Sequence, residues 1–200
     1  MNAPEFTETV RDDHETPLSR LGSSKWVYAL TGGEMAGDAV EAAWAVEARA
    51  ARETFEAWAA DDPTEEAERA FADVAAFAAE HGGDGEAETP PTYEALADLT
   101  GTAARAGGLL AWTLVAEKTL AQMVGFFVGD ADPSTANTFR DRKSGVREAR
   151  ETAEALLDEV CSDDDAWAAA RTGADAVVEA AYADYVDTLE SMGIKPKNVC

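Results

Sequence analysis

The 200-residue sequence is poor in the side chains that most active sites and metal sites use. It contains two histidines, His14 and His81, and two cysteines, Cys161 and Cys200. Two histidines are too few for most transition-metal sites and leave little scope for Ser-His-Asp chemistry, and two cysteines cannot form a disulfide framework. We expect Cys161 to be a buried apolar residue at a helix end, Cys200 to be exposed and reduced, and His14 to be solvated.

The sequence signatures of several enzyme classes are also missing. The chain has no P-loop, no glycine-rich dinucleotide fingerprint, no CxxC pair and no G-x-S-x-G nucleophile elbow. It has no run of about 18 apolar residues of the kind that spans a bilayer. Its first residues, MNAPEFTETVRDDHETP, lack the apolar core of a signal peptide. We therefore expect a cytoplasmic protein that does not enter a membrane.

Positive charge is scarce as well. The chain has 16 Lys and Arg against 40 Asp and Glu, which gives a formal net charge of -24. Such a field repels nucleic acid phosphates and anionic lipids, and the one basic cluster, over 140–150, is interrupted by acids. In molar salt the Debye length falls to about 3 Å, so the carboxylates no longer repel one another strongly. We interpret the acidity as that of a protein from an extreme halophile.

What the sequence does contain is a series of helical patterns and enough apolar residues, 46% of the chain, for a core. Asp62-Pro63 and Asp132-Pro133 each pair a capping side chain with proline at the first helical position. No segment alternates with the period of a strand. Helices are predicted over 16–31, 36–60, 63–80, 92–128, 134–160 and 163–192, with Gly101, Gly107 and Gly108 placed to bend or interrupt the fourth of them near its first third.

These helices predict an all-α, ferritin-like up-down bundle of four long helices with an extra short helix at the N-terminal end. Residues 1–15 are interpreted as a polar N-terminal segment, and residues 16–200 as a single helical-bundle domain. The longest loop, over 81–91, is the one alternative domain boundary. A bundle needs both halves of the chain to close its core, so one domain is the better interpretation.

Two carboxylates stand where the helical pattern favours apolar side chains. Glu47 lies between Trp44 and Ala51, and Glu117 lies between Thr113 and Leu120. A buried carboxylate is costly unless it meets a cation, a metal ion or hydrogen-bond donors. Glutamates on two helices of one bundle match the di-metal arrangement of ferritin-like proteins, so both residues are candidate ligands of iron or manganese.

The alternative is that both carboxylates reach water or pair with protein groups. By position, further metal donors would come from Gln122, Glu41 and Glu34. Pairing partners would come from the basic and hydroxyl side chains nearby in sequence, namely Arg49, Arg52, Thr113, Lys118 and Arg142. The sequence leaves these two interpretations open.

Three segments carry a resemblance to a known family. Residues 18–59, LSRLGSSKWVYALTGGEMAGDAVEAAWAVEARAARETFEAWA, resemble the first helical hairpin of rubrerythrin-related, ferritin-like proteins. With LVAEKTLAQMVGFFVGDAD and the ending YADYVDTLESMGIKPKNVC, most of residues 16–200 resembles haloarchaeal proteins of the rubrerythrin family. The resemblance implies a ferritin-like bundle, and in that family a di-iron centre held by glutamates and two E-x-x-H motifs reduces peroxide.

The chain departs from the family's metal-binding pattern. Ala50 stands where the histidine of an E-x-x-H motif beginning at Glu47 would be, and no E-x-x-H occurs anywhere. No CxxC pair is present for a rubredoxin-type iron centre. The resemblance therefore implies the fold without the peroxidase activity. Glu47 and Glu117 are then either remnants of a metal site or ligands of a weaker, all-oxygen site.

Three functions follow as alternatives. The first is a rubrerythrin-like bundle that has lost di-iron chemistry and keeps a stress- or metal-associated role, with no resident cofactor unless iron or manganese binds. The second is a helical scaffold that binds a protein partner or a second copy of itself. The third, a transcription-associated regulator, is the least favoured because of the acidity. We do not expect an enzyme; if it were one, it would be an oxidoreductase of the rubrerythrin type.

The acidity predicts a dependence on salt. The protein should be fully helical in molar KCl and lose helicity when the salt is dialysed to tens of millimolar, because unscreened carboxylates then repel one another. Far-ultraviolet circular dichroism at the two salt concentrations measures this. An unchanged spectrum would contradict the halophilic interpretation.

Overall fold

The computed structural model describes residues 1–83 and 88–196, so Cys200 lies outside the described residues. Its helices are α1 Ala3–Asp13, α2 Glu15–Leu21, α3 Ser24–Leu30, α4 Gly37–Asp61, α5 Glu65–Ala79, α6 Pro91–Ala97, α7 Thr102–Gly129, α8 Pro133–Val160 and α9 Asp164–Ser191. No strand occurs within the two described ranges, so the prediction of an all-α helical fold is confirmed. None of the helices in those ranges has both the length and the apolarity needed to cross a bilayer.

Helix α7 forms the centre of the core. All of its residues over 106–116 are buried, whereas a surface helix buries only one face. Helices α8 and α9 pack along α7, and α2 and α3 also contact it. Helix α4 reaches it through large side chains, with the rings of Phe55 and Trp112 5.1 Å apart. The other elements are thus arranged around one helix whose first half is buried on all sides.

Helix α4 pairs with α5, and the short helix α6 connects this pair to the rest. The ring of Trp58 on α4 lies 5.1 Å from that of Phe71 on α5. Helix α6 packs against α9 and α4, and it buries Tyr93 and Leu96 in the core. Because Tyr93 is brought between α4 and α7 in this way, α6 places a hydroxyl group inside the bundle.

Glycines allow α7 and α9 to cross closely. A Cβ atom at Gly107 would collide with the backbone carbonyl of Ala170, and one at Gly173 would collide with that of Ala104. The two contacts are reciprocal, since each glycine faces the backbone of the other helix. Small residues at both positions therefore set the distance between the two helices.

The first fifteen residues, interpreted from sequence as a polar segment, contain helix α1. Asn2 and Glu5 form a capping box that starts α1, and Phe6 and Val10 are buried against the bundle. The ring of Phe6 lies 5.3 Å from that of Trp167 on α9. The apolar residues of this stretch are few and widely spaced among acids, which hid the amphipathic pattern.

The prediction that His14 is solvated is wrong. Its side chain is buried between α1 and α2, and its Nε2 lies 2.7 Å from Asp175 Oδ1 on α9. Arg171 binds the same carboxylate and also Asp13, with N–O distances of 2.6 and 2.7 Å. These four side chains tie the N-terminal helices to α9.

Two of the predicted helices are each divided in two. The predicted helix over 16–31 breaks at Gly22 and Ser23, which separate α2 from α3. The predicted helix over 92–128 is divided into α6 and α7, and Gly101, at φ +85°, precedes the first turn of α7. The predicted interruption therefore occurs at Gly101, whereas Gly107 and Gly108 lie within continuous α7. Asp132 caps α8 as predicted, because its side chain accepts a hydrogen bond from the Thr135 amide.

The helix crossing predicts opposite effects for two substitutions in α7. Gly107→Ala should destabilise the fold by about 1–3 kcal/mol or more, because its Cβ has no space against Ala170. Gly125→Ala, in an open position of the same helix, should stabilise it by about 0.5–1 kcal/mol through helix propensity. Chemical denaturation of both variants measures the difference. Equal stabilities for the two variants would contradict the close crossing.

Candidate functional site

Glu47 lines a cleft between α3, α4, α6 and α9. The cleft has a volume of about 480 Å³. Trp26 and Leu30 of α3 form one side, Asp184 and Thr188 of α9 form another, and Pro90 and Pro91 lie at the start of α6. Glu88 and Glu94 add two further carboxylates. The site therefore combines apolar walls with a concentration of negative charge.

A chain of hydrogen bonds holds Glu47 from the inside of the bundle. The Tyr93 hydroxyl donates to Glu47 Oε2 at 2.9 Å, and Trp112 Nε1 donates to the Tyr93 oxygen at 3.1 Å. Tyr93 and Trp112 are each 2% exposed, so both donors are fixed by packing. Among the described residues, no hydrogen bond engages the second oxygen of Glu47. One side of the carboxylate is thus held by protein, and the other is available to the cleft.

Burial gives Glu47 an unusual proton affinity. Desolvation raises the pKa of Glu47 from 4.5 to about 7; the Tyr93 hydrogen bond opposes the shift, and the negative charge of Asp184 adds to it. Desolvation also raises the pKa of Asp184, which accepts a hydrogen bond from Thr188 at 3.1 Å. Near neutral pH, Glu47 is therefore present in both its neutral and its ionised form.

Glu117 lies in a different environment. It is part of α7 and lines a second cavity, with Arg11, Leu18 and Lys118. Two arginines of α8 bind it: Arg147 Nε donates to Oε1 at 2.8 Å and Arg150 Nη1 donates to Oε2 at 2.6 Å. Desolvation would raise the pKa of Glu117, but the two arginines outweigh it and lower the pKa. Glu117 is consequently a paired, ionised carboxylate.

The two candidate metal ligands thus have different protein partners and line different cavities. Within residues 1–83 and 88–196, no group of three or more His, Cys, Asp or Glu side chains is arranged to hold a metal ion. Ala50, at the expected histidine position, is packed in the core at 2% exposure. Gln122, one of the further donors considered, donates to the Gly22 carbonyl at 2.7 Å. Iron or manganese binding by Glu47 and Glu117 stays a prediction.

Sequence reasoning missed three of the groups that bind these carboxylates. Tyr93 belongs to a short helix after two prolines, and nothing in its spacing connects it with Glu47. Arg147 and Arg150 follow Glu117 by 30 and 33 positions, on the next helix. A pairing of α7 with α8 across their short turn was the one signal that could have suggested the arginines.

Cys161 matches its predicted role. It ends α8 and is 5% exposed. Desolvation raises the pKa of its thiol to about 11, with Asp158 and Asp163 adding to the effect. A thiol that stays protonated at neutral pH is a poor nucleophile and a poor metal ligand, so Cys161 acts as an apolar residue.

The raised pKa of Glu47 predicts a stability change with pH. The folded state keeps the proton up to about pH 7, whereas the unfolded chain releases it near 4.5, so stability falls as the pH rises between these values. Glu47→Gln removes this loss and should be more stable than the wild type by about 2–3 kcal/mol at pH 8, with little difference at pH 4. Denaturation of both proteins across this range measures it, with Glu53→Gln, an exposed position of α4, as control. A difference independent of pH would contradict the burial of Glu47.

Comparison of the chain with protein-family models, with curated proteins and with solved structures finds no match. The resemblance to rubrerythrin-related proteins therefore rests on the segments quoted above.

Proposed function

We propose that this protein is a rubrerythrin-like, ferritin-like bundle that has lost di-iron peroxidase chemistry and binds a small ligand with a positively charged group in the Glu47 cleft. The observation that carries the proposal is that two carboxylates, Glu47 and Asp184, line the same cleft. The Tyr93 hydroxyl donates a hydrogen bond to Glu47 from inside the bundle. The proposed function is a binding function and requires no reaction.

The donor set supports a loss of di-iron chemistry. A ferritin-like di-iron centre uses two E-x-x-H motifs and two further glutamates that project towards one point. Here the first motif has Ala50 in place of histidine. The Glu117 carboxylate is bound by two arginines, whose positive charge opposes a metal ion. The remaining carboxylate, Glu47, is left with a tyrosine hydroxyl as its partner.

The electrostatics of the cleft favour a cation. Two carboxylates near each other raise each other's pKa because their charges repel. The pKa of Glu47 is raised first by burial and further by Asp184, and Glu88 and Glu94 line the same cleft. A ligand with an ammonium or guanidinium group is already positively charged, so it would relieve the repulsion between the carboxylates without taking a proton from them. It would therefore bind the ionised form of Glu47 and release a proton when Glu47 is neutral.

The walls of the cleft favour an organic cation over a hydrated metal ion. Trp26, Leu30 and the two prolines offer apolar surface, and the volume of about 480 Å³ is within the usual size of small-molecule pockets. The indole of Trp26 is held by a hydrogen bond from its Nε1 to Thr119 Oγ1 at 2.9 Å. A fixed aromatic ring beside carboxylates is a common setting for binding ammonium groups.

A second candidate function, a scaffold that binds a protein partner or another copy, has a separate observation in its favour. Met35 and Val128 are 42% and 55% exposed. Both lie near the place where the start of α4 meets the end of α7, because Gly37 approaches the ring of Phe127. If these two side chains belong to one apolar patch, that patch is where a partner would bind.

The cation proposal predicts pH-dependent binding. Tetramethylammonium and butylammonium should bind with one site per chain, and the affinity should rise by up to about tenfold per pH unit below pH 7 and level off above it. Glu47→Gln should weaken binding at least about tenfold and remove the pH dependence. Tyr93→Phe should move the profile to higher pH, because it removes a hydrogen bond that lowers the pKa of Glu47. Isothermal titration calorimetry in the lowest KCl that keeps the protein folded measures each value.

Glu53→Gln serves as the matched control, since it removes the same charge from an exposed position of α4. An equal loss of affinity in this variant would show a general effect of charge and would contradict the site. The metal content of the same samples tests the other part of the proposal. Iron or manganese in stoichiometric amount, lost in Glu47→Gln but kept in Glu53→Gln, would overturn the loss of metal chemistry.

A further inference from the structure

The second cavity of the bundle is lined mainly by positive charge, whereas the Glu47 cleft is lined by negative charge. It is a groove of about 660 Å³ between α1, α2, α7 and α8. Along α7 it extends from Leu114 to Gln122, which is about 12 Å at the helical rise. None of its lining residues belongs to the Glu47 cleft, so conclusions about the two cavities are independent.

Cations from three helices meet at this groove. Arg11 comes from α1, Lys118 from α7 and Lys143 from α8. In the described part of the chain, none of these three has a carboxylate within ion-pair distance. The chain has 40 acidic residues, and the two that line the groove, Glu15 and Glu117, lie beyond ion-pair distance of these three side chains.

The acidic residues of the groove do not cancel this charge. Glu117 is occupied by Arg147 and Arg150, at 2.8 and 2.6 Å, and these arginines bring two positive charges for its one negative charge. Glu15 is the other carboxylate of the lining. Three of the 16 Lys and Arg of the chain thus line a groove that holds two acids, and two more, Arg147 and Arg150, bind one of those acids. The groove is a positively charged region on a protein of net charge -24.

We infer that this groove binds a small organic anion with two or more charged groups, of the phosphate-ester or polycarboxylate class. Three separate cations match an anion whose charges are several ångströms apart, whereas a singly charged ion would meet one of them. Leu18 and Leu114 supply an apolar floor for the carbon skeleton, and Ser19 and Gln122 supply polar groups. The strongly acidic surface around the groove repels a nucleic acid, which favours a small ligand.

The test uses the full chain with two probes, pyrophosphate and tricarballylate, at a fixed KCl concentration that keeps the protein folded. We expect one-to-one binding by calorimetry, with changes in amide chemical shift concentrated around the groove, in the parts of α1, α2, α7 and α8 that line it. The probe that binds more tightly identifies phosphate or carboxylate as the preferred group. The double variant Lys118→Met/Lys143→Met, which keeps the length of both stems, should weaken binding at least about tenfold.

A substitution of the opposite sign gives a second measurement. Glu117→Gln releases Arg147 and Arg150 from their partner and should tighten anion binding several-fold. Arg69→Gln, which removes one positive charge from an exposed position of α5, is the matched control and should leave binding unchanged. If the double variant does not fold, Arg11→Gln, at an exposed position of α1, replaces it.

Three results would overturn the inference: saturable binding of neither probe, an equal loss of affinity in Arg69→Gln, or weaker binding in Glu117→Gln. Each of them would leave the cation-binding cleft untouched, because that cleft is probed with ligands of the opposite charge.

Discussion

The close crossing of α7 and α9 is the constraint on which the other contacts depend. Gly107 and Gly173 let the two backbones approach until each faces a carbonyl of the other helix. With α9 fixed there, Asp175 reaches His14, and the ring of Tyr185 lies 6.1 Å from Trp26 of α3. Asp184, on the next part of α9, is brought to the Glu47 cleft. One pair of glycines therefore positions both the N-terminal helices and a wall of the site.

The same bundle holds two glutamates in opposite electrostatic states. Glu47 meets a neutral donor and another carboxylate, so burial dominates and its pKa rises. Glu117 meets two guanidinium groups, which outweigh burial, so its pKa falls. Both residues interrupt an apolar pattern in the sequence, but the neighbouring helix decides what each can bind. The position of a carboxylate in the core therefore does not define what it binds until its partners are known.

The all-helical architecture and the positions of the long helices follow from sequence, because the apolar residues recur at helical spacing over 25 or more positions in α4, α7, α8 and α9. Helix α1 was missed, since Phe6 and Val10 are its main apolar residues amid acids and its stability comes from contacts with distant helices. The position of Glu47 among apolar residues predicts a buried carboxylate, and the structure half-buries its side chain, but nothing in the sequence indicates Tyr93 as its partner. The partners of Glu47 and Glu117 come from other helices. Which side chains meet depends on how the helices pack, and local sequence patterns do not contain that information.

The N-terminal helices have a consequence for how the chain folds. The Ala3 amide donates to Asp158, and His14 binds Asp175, so these contacts join residues more than 150 positions apart. During synthesis, α1 leaves the ribosome before α8 and α9, which are the long helices that it packs against. Contacts of such large sequence separation form late because closing a long loop costs entropy. Until then Phe6 and Val10 lack these packing partners, so the synthesis of α8 and α9 removes two apolar side chains from possible association with other chains.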